Sequence, residues 1–235
     1  IFYQYLESLF TIYSCYSEIM DPRTKRKQRE YEARRQEILA AAECLFSKNG
    51  FFKTSMAEIA TAAQFAMGTV YRFFKSKEEI YISIVEAKVE ELAELLDKAI
   101  AKEKSSSDKL NAFIQVKLAY ADRNRDFFRI YVSEWGGFEW TIKSAFGERV
   151  WKLYMAQVDL VADLIRQGIR RKEFRKIDPK DGAFALHGML NSTMYVGILQ
   201  ARPSGSLVDK RELISNLFLS GIEKERNAGV IRHVV

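Results

Sequence analysis

Helix-breaking residues are scarce in this chain, and that scarcity limits its folds more than any other feature. Its 235 residues include 3 prolines and 12 glycines, and the long segments between them carry an apolar residue every third or fourth position. Proline and glycine disfavour a helix interior by about 3 and about 1 kcal/mol, whereas the Ala, Leu, Glu, Lys and Arg that fill these segments favour it. Apolar residues at that spacing line one side of a 3.6-residue helix, and no alternating run bounded by turn residues reads as a hairpin. The expected fold class is therefore all-α. With 48% hydrophobic and 29% charged residues, the chain can bury a full core.

The formal charge is +6. Such a balance fits an acidic partner, either nucleic acid or an anionic membrane surface, without choosing between them. The placement of charge is more informative. Residues 23–35, RTKRKQREYEARR, hold seven Lys or Arg against two Glu and read as a basic arm just before the first strongly helical segment. The two cysteines, Cys15 and Cys44, make no disulfide framework; Cys44, beside Ala42, Leu45 and Phe46, is expected on a buried face. A reducing, cytoplasmic setting fits this usage. No apolar run reaches the roughly 18 residues of a membrane span, and no basic segment precedes an apolar one at the N-terminus as a signal peptide requires. The first twenty residues, IFYQYLESLFTIYSCYSEIM, hold six aromatics and no Lys or Arg. Met20 reads as the native start, which makes 1–19 extraneous. Two other readings stay open: an accessory helix with Phe2, Leu6, Leu9, Phe10 and Tyr13 on one face, and a weak interfacial anchor.

Ile38, Ala42, Leu45 and Phe46 mark a first helix over about 32–48, and Asn49-Gly50 supplies a left-handed exit. Ser55 followed by Glu58 forms a capping box for a short second helix that ends near Ala63. A third runs over about 66–73. Ser76 caps a long fourth, with Glu78 and Glu79 in its positive first turn, and KSSSD at 104–108 ends that pattern. Further helices are expected over 109–123, 126–135, 147–171, 179–201 and 207–226. The last two carry small residues (Gly182, Ala183, Ala185, Gly188, Ser192, Gly197, Ser220 and Gly221) that suit either core packing or a subunit interface.

A basic arm, a first helix and two short helices joined by a tight turn match the helix-turn-helix arrangement, whose second helix enters the major groove. The run KNGFFKTSMAEIATAAQFAMGTVYRFFKSKEEIY, and within it Gly-Thr-x-Tyr-x-x-Phe-Lys-x-Lys-Glu, resembles the N-terminal domain of the TetR family of bacterial transcriptional regulators over about residues 34–82. Gly68 would let backbone approach DNA, or be a plain turn glycine, and Thr69 can reach a base edge or phosphate. Tyr71 can pack its ring and donate its hydroxyl to a phosphate, as the resemblance implies. Arg72 and Lys77 flank the next turn. Lys77 lies in a first helical turn where a cation is unfavourable, a conflict that a phosphate would remove, and the resemblance implies that contact. The alternative is a solvated lysine. Thr54 and Ser55, at a helix N-terminus, suit phosphate contacts. Base reading would fall to methyl groups of Ala66, Met67 and Thr69, with Arg72 beside them. Two residues depart from the family pattern. Gln64 replaces a common turn glycine, which costs about 1 kcal/mol if the backbone there is left-handed, and Phe65 replaces a smaller aliphatic.

The remaining two thirds hold no metal-ligand spacing, phosphate loop or nucleophile elbow, so neither an enzyme, a metal nor a cofactor is expected. On the 179–201 helix, His187 and Asn191 share a face with Phe184, Met194, Tyr195 and Ile198. That mixture suits a small-molecule pocket, to which Phe127, Tyr131, Trp135 and Trp151 would add walls; hydrogen-bonded core residues are the alternative. The resemblance implies a mostly apolar effector and a homodimer formed through the last two helices, 179–201 and 207–226. The division read from the sequence is 1–20 as an extension, 21–78 as basic arm and helix-turn-helix DNA-binding domain, and 79–235 as ligand-binding and dimerisation domain. The expected function is a ligand-responsive repressor bound as a dimer to a palindromic double-stranded DNA operator. The rival from another class is a ligand-carrying protein that uses its basic arm and aromatic N-terminus on anionic lipid.

Overall fold

The computed structural model describes residues 21–129, 141–199 and 205–223. These form eight α-helices and one 3₁₀ turn, and no strand occurs among the described residues. The helices are α1 (Pro22–Asn49), α2 (Met56–Ala62), α3 (Met67–Phe73), α4 (Lys77–Ile100), α5 (Ser106–Arg123), α6 (Thr141–Arg170), α7 (Pro179–Leu199) and α8 (Arg211–Ile222), with the 3₁₀ turn at Leu207–Lys210. Residues 125–129 are also helical, and the rest of the helix expected over 126–135 lies outside the described residues. So does the 1–20 extension.

The chain divides into two compact units between Val85 and Glu86, inside α4. In the first unit, α1 begins at Pro22 rather than near Glu32, so the expected basic arm is the start of a helix. Proline suits a first helical position because its missing N–H would be unpaired there anyway. The segment lacks an apolar period, which is why the sequence hid it. Its ordering comes from polar pairs one turn apart, Arg26 Nε to Glu30 at 2.8 Å and Gln36 Nε2 donating to Glu32 at 2.7 Å. Tyr31 anchors it against Phe73 of α3, with ring centroids 4.5 Å apart.

Ile38, Leu39, Ala42 and Phe46 form the buried stripe of α1. Phe46, Phe51 and Tyr81 close an aromatic cluster with centroid separations of 5.2–6.3 Å. Cys44 is exposed, contrary to expectation, because two residues beyond Ala42 is over half a turn around the helix. Gly50 has φ 84° and ψ 155°. The φ is positive as expected, but the ψ belongs to an extended region open essentially to glycine alone.

In the second unit, α5 starts within the serine run, where the Ser105 hydroxyl accepts from the Asp108 N–H at 3.0 Å. The stretch read as a breaker is thus also an N-cap. Helix α6 lies along α7. Glycine allows two close approaches: a β-carbon at Gly168 would fall 2.1 Å from the Phe174 ring, and one at Gly197 would fall 2.4 Å from Leu207. The segment after α6 returns to α8, with the Arg175 N–H donating to the Ile222 carbonyl at 2.8 Å. No described helix is long and apolar enough to cross a membrane.

Candidate nucleic-acid interface

Helix α2 opens with the expected capping box: the Glu58 N–H donates to Ser55 Oγ at 3.2 Å, and the Ser55 N–H donates to Glu58 Oε2 at 2.7 Å. These bonds to Ser55 hold the Glu58 carboxyl below its usual range. The turn that follows is set by Gln64, whose φ is 58°. The Phe65 N–H donates to the Ala60 carbonyl at 3.0 Å and the Gln64 N–H to the Thr61 carbonyl at 3.1 Å, the paired bonds of a Schellman motif. A glutamine therefore holds the left-handed position where glycine would be unstrained. The chain leaves it extended at Ala66 and enters α3 with the Thr69 N–H donating to the Ala66 carbonyl at 2.8 Å.

Helix α3 buries Val70 and turns Ala66, Met67, Gly68, Tyr71 and Arg72 outward, with Thr69 half-buried. Tyr71 is 50% exposed, so half its surface is covered. A β-carbon at Gly68 would meet nothing within 4 Å. The chain's own packing thus does not demand a glycine there.

Two expected phosphate contacts are redirected inward. Thr54 is 1% exposed and its hydroxyl donates to the Gly50 carbonyl at 2.9 Å, which leaves Ser55 as the exposed hydroxyl. Lys77 is half-buried and already engaged within the chain. Its ammonium donates to the carbonyls of Phe51, Phe52 and Thr54 at 3.0, 3.2 and 3.1 Å, and lies 4.6 Å from the centre of the Phe51 ring. Three protons meet three carbonyls. This lysine ties the loop after α1 to the start of α4 and resolves the dipole conflict within the chain. Exposed cations that sequence reading passed over are Lys53, beside Ser55, and Lys75, after α3.

The described residues expected to hold an effector differ in their surroundings. His187 is fully buried, with Phe113 and Tyr154 ring centroids 5.7 and 5.5 Å away, and Tyr154 continues to Trp151 at 5.6 Å. Phe127 is buried against Phe128. Asn191 is half-buried, and Tyr195, at 46% exposure, turns away from the core. Tyr131 and Trp135 lie outside the described residues. The sequence reading missed Lys117 on α5. Lys117 is 6% exposed and donates to Gln157 Oε1. Its signal was present in the sequence, since it occupies an apolar-face position between Phe113, Ile114 and Ala121.

A short capped helix, a tight turn and a second short helix with its polar face open define a helix-turn-helix DNA-binding protein. Residues 38–84 match the profile of "Bacterial regulatory proteins, tetR family", and residues 103–195 match "Tetracyclin repressor-like, C-terminal domain". The chain belongs to the TetR family and is a DNA-binding transcriptional regulator. It is 27% identical over 214 residues to the HTH-type transcriptional regulator YfiR of Bacillus subtilis, covering 87% of this chain and 100% of that one. It is 31% identical over 86 residues to the fatty acid metabolism regulator protein of B. subtilis, covering 37% of this chain and 42% of that one. Among solved structures, the fatty acid degradation regulator FadR of Bacillus halodurans superposes with a TM-score of 0.73 at 17% identity, covering 80% and 95% of the two chains. FadR of B. subtilis, solved with stearoyl-CoA, superposes with a TM-score of 0.71 at 22% identity, covering 80% and 99%.

Proposed function

We propose that the chain is a cytoplasmic, homodimeric repressor that binds a palindromic operator and is released by a small, largely apolar effector. It has no enzymatic role in this reading. Residues 21–78 would form the DNA-binding domain, with Ser55, Ala66, Met67, Gly68, Thr69, Tyr71 and Arg72 facing the duplex and Lys77 shaping the loop behind them. The open face of α3 carries the proposal: a half-exposed tyrosine and an exposed arginine flank a glycine that internal packing does not require. Tyr71 and Arg72 suit phosphates, while Ala66, Met67 and the Thr69 methyl suit thymine methyls.

The dimer proposal rests on the outward faces of α7 and α8. On α7, Phe184, Ala185, Gly188, Ser192, Tyr195 and Val196 are exposed, and on α8 Leu213 and Leu217 are 57% and 62% exposed. A β-carbon at Gly188 or Gly221 would meet nothing within 4 Å, whereas Gly182 and Gly197 are tight against their own chain. The small residues thus separate into an inner set for packing and an outer set for a close-approaching partner. Two copies joined there would present two α3 helices to half-sites about 34–36 Å apart.

A gel-shift titration with the DNA upstream of the chain's own coding region tests this reading. The expected result is a salt-sensitive, sequence-specific shift. No such shift, together with binding to anionic liposomes, would favour a membrane-surface protein instead.

A further inference from the structure

We propose that Lys117 and His187 form the acid-recognising end of an effector site between α5, α6 and α7, and that the effector is an apolar molecule bearing one carboxylate. The inference rests on the ligand-responsive reading above and names its ligand class. Lys117 is a buried cation without a carboxylate partner: among the described residues, its ammonium donates only to the Gln157 side chain. His187 is fully buried, and neither ring nitrogen has a hydrogen-bond partner. Buried polar groups are almost always satisfied, so two unpartnered imidazole nitrogens beside a buried cation with one neutral partner point to a missing guest.

The two side chains meet at one ring. The Lys117 ammonium and the His187 ring each lie 5.7 Å from the centre of Phe113. From His187, an aromatic series runs through Tyr154 at 5.5 Å to Trp151 a further 5.6 Å on, and Trp151 is 50% exposed. This series runs from an exposed ring to the buried histidine, and the apolar body of the guest would lie along it. A carboxylate at its inner end would accept from the ammonium and from one imidazole N–H, and its single charge would cancel that of Lys117. A phosphate ester would set up to two charges against one cation, an amine would be repelled, and an alcohol would leave the cation uncompensated. Without a guest, burial pushes Lys117 down to about 7. His187 is pushed down to about 3, first by burial and then by the Lys117 charge, with the Gln157 backbone working the other way.

The test uses the full chain with sodium decanoate and 1-decanol, read by thermal shift and calorimetric titration, with Lys117→Met and Lys117→Gln beside the wild type. Wild type is expected to be stabilised by decanoate and to bind it roughly tenfold more tightly than decanol, as a charge-assisted contact requires. In either variant the preference should fall to about twofold or less. Equal wild-type affinity for acid and alcohol, a preference that survives both substitutions, or no binding of decanoate would overturn the proposal, and the wild-type comparison needs neither variant to fold. A gel shift separates the two readings. If decanol releases DNA and decanoate does not, the acid site fails and ligand response stands. If decanoate binds as described and DNA binding is unmoved, the acid site stands and its regulatory use fails.

Discussion

Tyr71 and Lys77 were both expected to grip phosphates, and they call for opposite experiments. Removing the Tyr71 hydroxyl in Tyr71→Phe leaves the folded core alone, so DNA affinity should fall by roughly tenfold, the worth of a hydrogen bond to a charged group, with an unchanged melting temperature. Lys77→Met strips the partners from three loop carbonyls. It should lower stability by about 1–3 kcal/mol in urea titration, with DNA binding lost as the fold loosens. A Lys77→Met protein of wild-type stability but weaker DNA binding would restore the phosphate role. Lys77 illustrates what sequence left illegible. Its type and position flagged a conflict with the helix dipole, but the three carbonyls that resolve it come from residues 51–54, distant in sequence and brought close only by the fold. The left-handed turn at Gln64 was legible only through the resemblance, which places a glycine at that position.

Lys117 makes a pH-dependent prediction. Its ammonium, ordinarily at 10.5, is pushed to about 7. Between those values the unfolded chain holds the proton more readily, so the penalty is full below pH 7 and fades as pH rises toward 10.5. Lys117→Met should therefore gain stability on the order of a few kcal/mol near pH 7 and little near pH 10. Urea titrations at both values check this, and a difference independent of pH would contradict it.

At the scale of elements, apolar periodicity located the helices well and their polar ends poorly. Ile38, Ala42 and Phe46 announced the buried half of α1, but its start at Pro22 rests on charge pairs and on Tyr31 against Phe73, neither of which leaves a hydrophobic period. The helical form of the basic segment alters what it can do. It presents Arg23, Lys25, Arg26, Lys27 and Arg29 on a helix anchored beside α3 rather than on a loose strand. Deleting residues 21–29 should weaken DNA binding and flatten its salt dependence, because fewer counterions are released; an unchanged slope would sink the idea. The outer faces of α7 and α8 make a separate prediction. Leu217→Asp, at a 62% exposed position, should leave the stability of the monomer fold within about 0.5 kcal/mol, as surface changes do. It should nevertheless shift sedimentation from dimer to monomer. A dimer that survives both this change and Gly188→Leu would place the interface elsewhere.

Helix α4 crosses the boundary between the two compact units at Val85 and Glu86; in the proposed reading the first unit faces DNA and the second the effector. An effector can act on DNA binding only by its differential affinity for two states of the chain, so the acid site and the α3 face must be coupled in both directions. The all-helical class and the helix-turn-helix motif were readable because period, caps and the GTVYRFFKSKE run are local. The acid-binding cluster was not, since Phe113, Lys117, Tyr154, Gln157 and His187 come from three helices whose contacts no local pattern encodes. The central claim, a dimer that reads a palindrome with the open face of α3, is tested most directly by selecting binding sites from a random double-stranded DNA pool with the purified full chain. The account predicts recovered sites that are inverted repeats, with half-sites about one helical turn apart and thymines enriched where Ala66, Met67 and Thr69 would lie. Recovery of asymmetric sites, or no enrichment over the starting pool, would contradict it.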